Sequence, residues 1–177
     1  MYEIEFTNQQ EFLEINEDFL REAVRYTLAA EGVARAEISV ALVDNEAIHT
    51  LNRQFLQHDC ATDVLSFLLE SEPPVDNGKS SGSAGDIVPR GAGACFCGEV
   101  VVSAEMALQT AVEYDWNSRD EMLLYLVHGL LHLCGYDDLT QPECEIMRAR
   151  EREILRHWDL RPHFSAPAAG TESGANP

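Results

Sequence analysis

From Met122 to Cys134 the chain reads Met-Leu-Leu-Tyr-Leu-Val-His-Gly-Leu-Leu-His-Leu-Cys. Wound into an α-helix, this run is apolar on nearly every face, and such a helix has to be surrounded by the rest of the molecule. It is therefore expected to be the buried central helix. Ser118 and Glu121 before it have the S-x-x-E spacing of a capping box, and Gly135 behind it suits the left-handed residue that ends many helices.

Two histidines interrupt the run. His128 and His132 are four residues apart, on one face and one turn from each other, where two imidazole nitrogens can reach a single metal ion. Gly135 allows a sharp reversal, and Asp138 can then return toward the same ion. The pattern H-x-x-x-H-x-x-G-x-x-D offers two nitrogens and one oxygen and leaves a fourth tetrahedral position open. Its spacing is that of the metzincin proteases, H-E-x-x-H-x-x-G-x-x-H, with two changes of residue. Asp138 replaces the third histidine, and carboxylate is an accepted zinc ligand. Gly129 stands where the protease carries its general base, and glycine cannot take a proton. Asp137 is a rival third ligand with poorer spacing. Two buried imidazoles without partners would cost several kcal/mol, roughly, which argues against a mere packing role.

The remaining segments supply what must cover this helix. Residues 2–7, 37–43, 62–69 and 98–102 read as strands. Residues 18–31 show helical spacing of Phe19, Leu20, Ala23, Val24, Thr27 and Leu28, stopped by Gly32. Asp44 and Ser103 are placed to cap two further helices, the first carrying Ile48, Leu51, Asn52 and Phe55. Thr140 and Glu143 form a second capping-box pattern for a last helix ending near His157. Residues 71–94 combine Pro-Pro, Asn-Gly and a Ser/Gly run, and are expected to be a flexible insertion. Residues 165–177 are a low-complexity tail expected to be disordered, which leaves residues 1–164 as one domain.

Charge and cysteine content narrow the function classes. Twelve Lys+Arg against 31 Asp+Glu give a formal net charge of −19, which excludes a broadly basic nucleic-acid coat. Arg148, Arg150, Arg152, Arg156 and Arg161 near the end read as a solvated helix face balancing nearby glutamates. Five cysteines, an odd number, argue against a disulfide framework, and Cys134 reads as a small core residue. No apolar stretch approaches a membrane span, and the acidic N-terminus lacks the features of a signal peptide, so a cytoplasmic location is expected.

The segment His128-Gly129-Leu130-Leu131-His132-Leu133-Cys134-Gly135-Tyr136-Asp137-Asp138 resembles the H-G-x-L-H-L-x-G-Y-D-H signature of the YbeY-type endoribonucleases. Leu51-Asn52 with Thr62-Asp63-Val64-Leu65-Ser66-Phe67, and Gly98 to Ser103, resemble two further blocks of that family in the same order. The resemblance implies an α+β fold, a small mixed sheet of about four strands packed against helices. It also implies a zinc-dependent, single-strand-specific endoribonuclease acting in 16S rRNA 3′-end maturation and ribosome quality control. Its partners would be single-stranded RNA, rRNA and ribosomal particles, with neither membrane nor DNA expected.

One zinc ion per chain would be held by His128, His132 and, in place of the family's third histidine, Asp138. Where the family has an arginine thought to meet phosphate, this chain has Leu56; Arg53 and His58 are the nearest substitutes for substrate binding. Asp137, Glu99 and His58 are candidates for a general base. Two other readings stay open, a metzincin-like zinc peptidase and a non-catalytic zinc-containing ribosome-assembly factor. The acidic surface implies weak, local RNA binding with a shallow salt dependence.

Overall fold

The computed structural model describes residues 1–72 and 89–164. Strand β1 (Tyr2–Asn8) leads into helix α1 (Glu17–Ala30), then strand β2 (Arg35–Val43) and helix α2 (Asn45–Leu51). A π-helical turn (Asn52–Leu56) precedes strand β3 (Val64–Glu72), which is followed by strand β4 (Cys95–Ser103). Helices α3 (Ala104–Glu113), α4 (Ser118–Leu133) and α5 (Gln141–Leu155) complete the order, with a 3₁₀ turn at Arg156–Trp158.

The strands form one mixed sheet in the order β1-β2-β4-β3. β1, β2 and β4 are parallel, and β3 runs antiparallel to β4 along the sheet edge. Helix α4 packs on the sheet and touches α1, α3 and α5 as well. Leu123, Leu126, Leu130 and Leu131 are buried almost completely, each contributing about 1.5–3 kcal/mol by leaving water. The helix can lie this close because the contact points are small. A Cβ on Gly129 would come within 2.8 Å of Val64 and 2.7 Å of Val100, and one on Gly98 within 2.8 Å of Leu133.

Several sequence expectations shift. The cap of α4 is Asn117, whose side chain accepts from the Arg119 amide, so Ser118 is already helical and Glu121 is free to turn inward. Thr140 does cap α5, but Glu143 pairs with Arg90 at 2.7 Å. The helix after Asp44 widens into the π turn at Asn52, stopped by Gln57 at φ 60, and leaves Phe55 exposed. The expected insertion at 71–94 is narrower at both ends. Ser71 and Glu72 belong to β3, and a turn through residues 90–93 leads to Ala94, whose carbonyl accepts from the Ala34 amide. Cys95-Phe96-Cys97 is the start of β4. The middle of that insertion, 73–88, and the tail at 165–177 lie outside the described residues. Among the described residues no helix is long and apolar enough to cross a membrane.

Candidate metal centre

Helix α4 delivers both histidines, and its end delivers the carboxylate. The helix closes on Gly135 at φ 93, with the Gly135 amide donating to the His132 carbonyl and the Tyr136 amide to that of Leu131. This is a Schellman closure, and a residue with a Cβ would be strained in its left-handed position. The chain then turns on Asp137, whose Oδ1 accepts from the amides of Asp138 and Leu139 at 2.7 and 3.1 Å. That turn carries Asp138 back over the helix. Its carboxylate lies 3.6 Å from His128 Nε2 and 3.9 Å from His132 Nε2. The three donor atoms lie within 4.8 Å of one another, a group that could hold a metal ion. Asp137 is occupied as a turn former and is outside that group.

Each imidazole is oriented from behind. His128 Nδ1 donates to the Glu151 carboxylate at 2.5 Å, and His132 Nδ1 donates to the Tyr136 carbonyl at 3.1 Å. With both Nδ1 atoms carrying hydrogen, both Nε2 atoms are bare acceptors, and they face each other across 3.0 Å. Two bare lone pairs at that distance call for a positive charge, supplied either by a proton between the rings or by a metal ion beside them. Tetrahedral zinc with bonds of 2.0–2.1 Å separates its nitrogens by about 3.3 Å, so the donor set fits such an ion. Burial pulls the His128 pKa down, but the hydrogen bond and charge of Glu151, with Asp63 and Asp138, outweigh it and the net shift is upward. The pocket favours positive charge at this place.

His128 and Asp138 open into a cleft of about 510 Å³ whose walls include Asp63, Glu121, Tyr125, Glu151 and His163. Glu121, Tyr125 and His128 follow one another at i, i+4 and i+7 along α4. Asp63 accepts from its neighbours, the Val64 amide and the Thr62 hydroxyl, and Ser66 Oγ donates to the Gly129 carbonyl. The other residues singled out from sequence stand apart. Arg53 and His58 are exposed on the π turn and the loop after it, and neither lines this cleft. Glu99 sits within β4, paired between Ser39 and Phe67.

The sequence pattern does not single out Glu151 or His163, and it marks Glu121 only as a capping residue. Glu151 did leave a signal. Met147, Arg150, Glu151, Ile154 and Leu155 form the buried stripe of α5, and a charged pair within an apolar stripe calls for partners. Arg150 pairs with Glu31, 2.5 Å away and fully buried, and with the half-exposed Glu153 at 2.6 Å; itself only 6% exposed, this arginine is no part of a solvated face. Its Nη2 also donates to the Ala30 carbonyl, and the Tyr136 hydroxyl donates to Glu31 at 3.4 Å. Cys134 is buried beside this network, and burial pushes its thiol far up, as befits a core residue.

Known proteins resemble this chain over most of its length. A family model described as Endoribonuclease YbeY matches residues 4–159. Endoribonuclease YbeY of Geobacillus thermodenitrificans is 37% identical, covering 89% of this chain and 94% of that protein. That of Carboxydothermus hydrogenoformans is 38% identical over 85% of this chain and 94% of its own length. The Bacillus subtilis protein of the same name is 32% identical over 83% and 90%. The solution structure of TM1509 from Thermotoga maritima is similar with a TM-score of 0.50 at 23% identity, covering 89% of this chain and 91% of that one. At that identity the likeness speaks for the fold.

Proposed function

The chain belongs to the YbeY endoribonuclease family, and from that membership we propose that it is a zinc-dependent endoribonuclease specific for single strands, acting in 16S rRNA 3′-end maturation and ribosome quality control. The observation that carries the metal half is the pair of Nε2 atoms 3.0 Å apart beside the Asp138 carboxylate. His128, His132 and Asp138 would hold the ion, which when bound supplies Lewis acidity to a phosphoryl oxygen and to water.

The chain's own residues do the positioning. Glu151 and the Tyr136 carbonyl fix the tautomers and aim both imidazoles at one point. The neighbouring cleft is large enough for a nucleotide and closed on one side by α4. The net charge of −19 leaves contact with the RNA backbone to few cations, which favours a short strand engaged at one point over a coated duplex. Arg53, on the same turn as Leu56, and His58, on the loop after it, are proposed as substrate contacts outside the cleft.

The peptidase reading is disfavoured by packing as well as by residue type. Position 129 faces the sheet, where a Cβ would already come within 3.0 Å of Val64, Val100 and Ser66, so a glutamate side chain has no room to act there. The assembly-factor reading predicts metal binding without turnover.

The deciding experiment is cleavage of a single-stranded RNA spanning a 16S 3′ end by metal-loaded protein, beside His132→Ala prepared identically. Cleavage by the first alone supports the proposal. Stoichiometric zinc with no cleavage by either protein would favour the assembly-factor reading, and Leu56→Arg is then the first variant to assay.

A further inference from the structure

The deep end of the cleft contains polar atoms that the proposed metal chemistry does not use. Glu121 is 3% exposed, with its carboxylate in the cleft wall and Oε2 lacking a hydrogen-bond partner among the described residues. Tyr125, one turn further along the same helix face, lines the cleft beside it. Facing the Glu121 carboxyl is the imidazole of His163, whose Nε2 stands 4.0 Å from Glu121 Oε2, too far for a hydrogen bond. Both ring nitrogens of His163 are buried and have no hydrogen-bond partner among the described residues.

The ring of His163 is held as a stacked heterocycle. It lies on Tyr114 with centroids 4.7 Å apart and planes 26° from parallel, and it meets Trp116 edge-on at 4.8 Å. It arrives on the segment after the 3₁₀ turn, and the next residue, Phe164, packs under the guanidinium groups of Arg148 and Arg152. An aromatic platform, a planar nitrogen heterocycle on it, and a buried carboxylate oxygen awaiting a donor are the elements by which proteins hold an unpaired base.

We propose that this end of the cleft is a nucleobase subsite, which His163 fills in this structure in the manner of a base. The proposal rests on the ribonuclease reading above. Glu121 and His128 are seven residues apart on one helix face, about 10 Å along the axis. That is the reach of one nucleotide from a phosphate at the metal centre to the far edge of its base. Glu121 is then the specificity residue. A carboxylate accepts and cannot donate, so it favours bases that present an exocyclic amine, cytosine and adenine, over uracil, which presents a carbonyl at the same place. Incoming RNA displaces His163 from the platform.

The test is calorimetric binding of cytidine, adenosine and uridine to the full chain; nucleosides lack the phosphate that the metal centre would capture. His163→Ala should bind cytidine and adenosine about tenfold tighter than wild type does, whereas His163→Phe, which keeps a ring on the platform, should show no gain. In the His163→Ala background, Glu121→Gln should erase the preference for cytidine over uridine, because an amide both donates and accepts. The proposal is overturned if His163→Ala gains no affinity, or if the preference survives Glu121→Gln. If His163→Ala does not fold, the same preference is read from wild type against Glu121→Gln at higher nucleoside concentration. RNA cleavage is scored separately. Nucleoside binding without cleavage removes the nuclease reading and leaves the subsite; cleavage without the base preference removes the subsite alone.

Discussion

The carboxylate of Glu151 accepts from Nδ1 of His128 at 2.5 Å while only 3% of its side chain reaches solvent, so the orientation of one proposed ligand is set from a different helix. Such partners of ligating histidines contribute 10–100-fold, roughly, to metal affinity. Glu151→Ala should weaken zinc binding by that factor, and Glu151→Gln, which keeps an acceptor but loses the charge, should fall in between. A competition titration against a chromophoric chelator measures this without any assay of activity. Equal affinities for wild type and Glu151→Ala would show that α4 alone holds the ring.

Gly129 separates two effects of opposite sign. Alanine has a helix propensity better than glycine by about 1 kcal/mol. Here its Cβ would press to 2.7 Å on Val100 and 2.8 Å on Val64, and overpacking of this kind costs about 1–3 kcal/mol. Gly129→Ala should therefore lower stability by up to about 2 kcal/mol in urea denaturation at unchanged m-value. A gain in stability would mean that α4 and the sheet have more slack between them than the contact distances allow. Gly129→Glu should not fold, since its carboxylate would be driven into an apolar contact, and so it should not yield a peptidase.

Much of this arrangement is legible in the sequence, for particular reasons. The thirteen residues from Met122 to Cys134 announce a buried helix because no solvated face can be drawn on them, and the structure buries all of them but His128 and His132, which are partly exposed. His128, His132 and Asp138 are legible because helix geometry and one glycine fix their meeting within a few ångströms. Glu151 joins the site from 19 residues beyond His132, and only the packing of α5 on α4 brings it there. Glu121 reads as a capping-box partner of Ser118 because S-x-x-E is a local pattern, whereas Asn117, one residue earlier, competes for the same amides and wins. Arg148, Arg150, Arg152, Arg156 and Arg161 read as one solvated face, but Arg150 falls on the buried stripe of α5 and meets Glu31, 119 residues away in sequence. Local chemistry was readable; pairings between distant helices were not.

The pair Arg150–Glu31 gives a stability prediction of its own. Arg150 and Glu31 are 6% and 0% exposed at the side chain, so neither charge is shared with water. Arg150→Met leaves Glu31 charged and buried, and breaking a buried pair from one side costs about 3–5 kcal/mol. The double change Arg150→Met with Glu31→Met should recover much of that loss, because it removes both desolvated charges. Chemical denaturation of the two single variants and the double completes the cycle. Additive losses would mean that the two residues act independently, contrary to their 2.5 Å contact.

Glu121 connects the cleft to pH. Burial raises its pKa above the usual carboxylate value, against the opposing hydrogen bond from Tyr125. A carboxyl whose folded pKa exceeds its unfolded pKa binds protons more readily when folded. Its contribution to stability is thus greatest below the unfolded pKa of about 4.3, and it is lost as pH rises through the folded value. At neutral pH the charged form is the one that folding must bury. Glu121→Gln keeps the shape and removes that charge, so the variant should be more stable than wild type at pH 7, by about 1.4 kcal/mol for each unit by which the pKa is raised. The advantage should shrink as pH falls and vanish near pH 4, where wild type is protonated as well. Urea midpoints of both proteins between pH 4 and pH 8 test the sign. A constant difference across that range would mean that Glu121 does not titrate with folding, and a wild type more stable at pH 7 would mean that burial does not penalise its charged form.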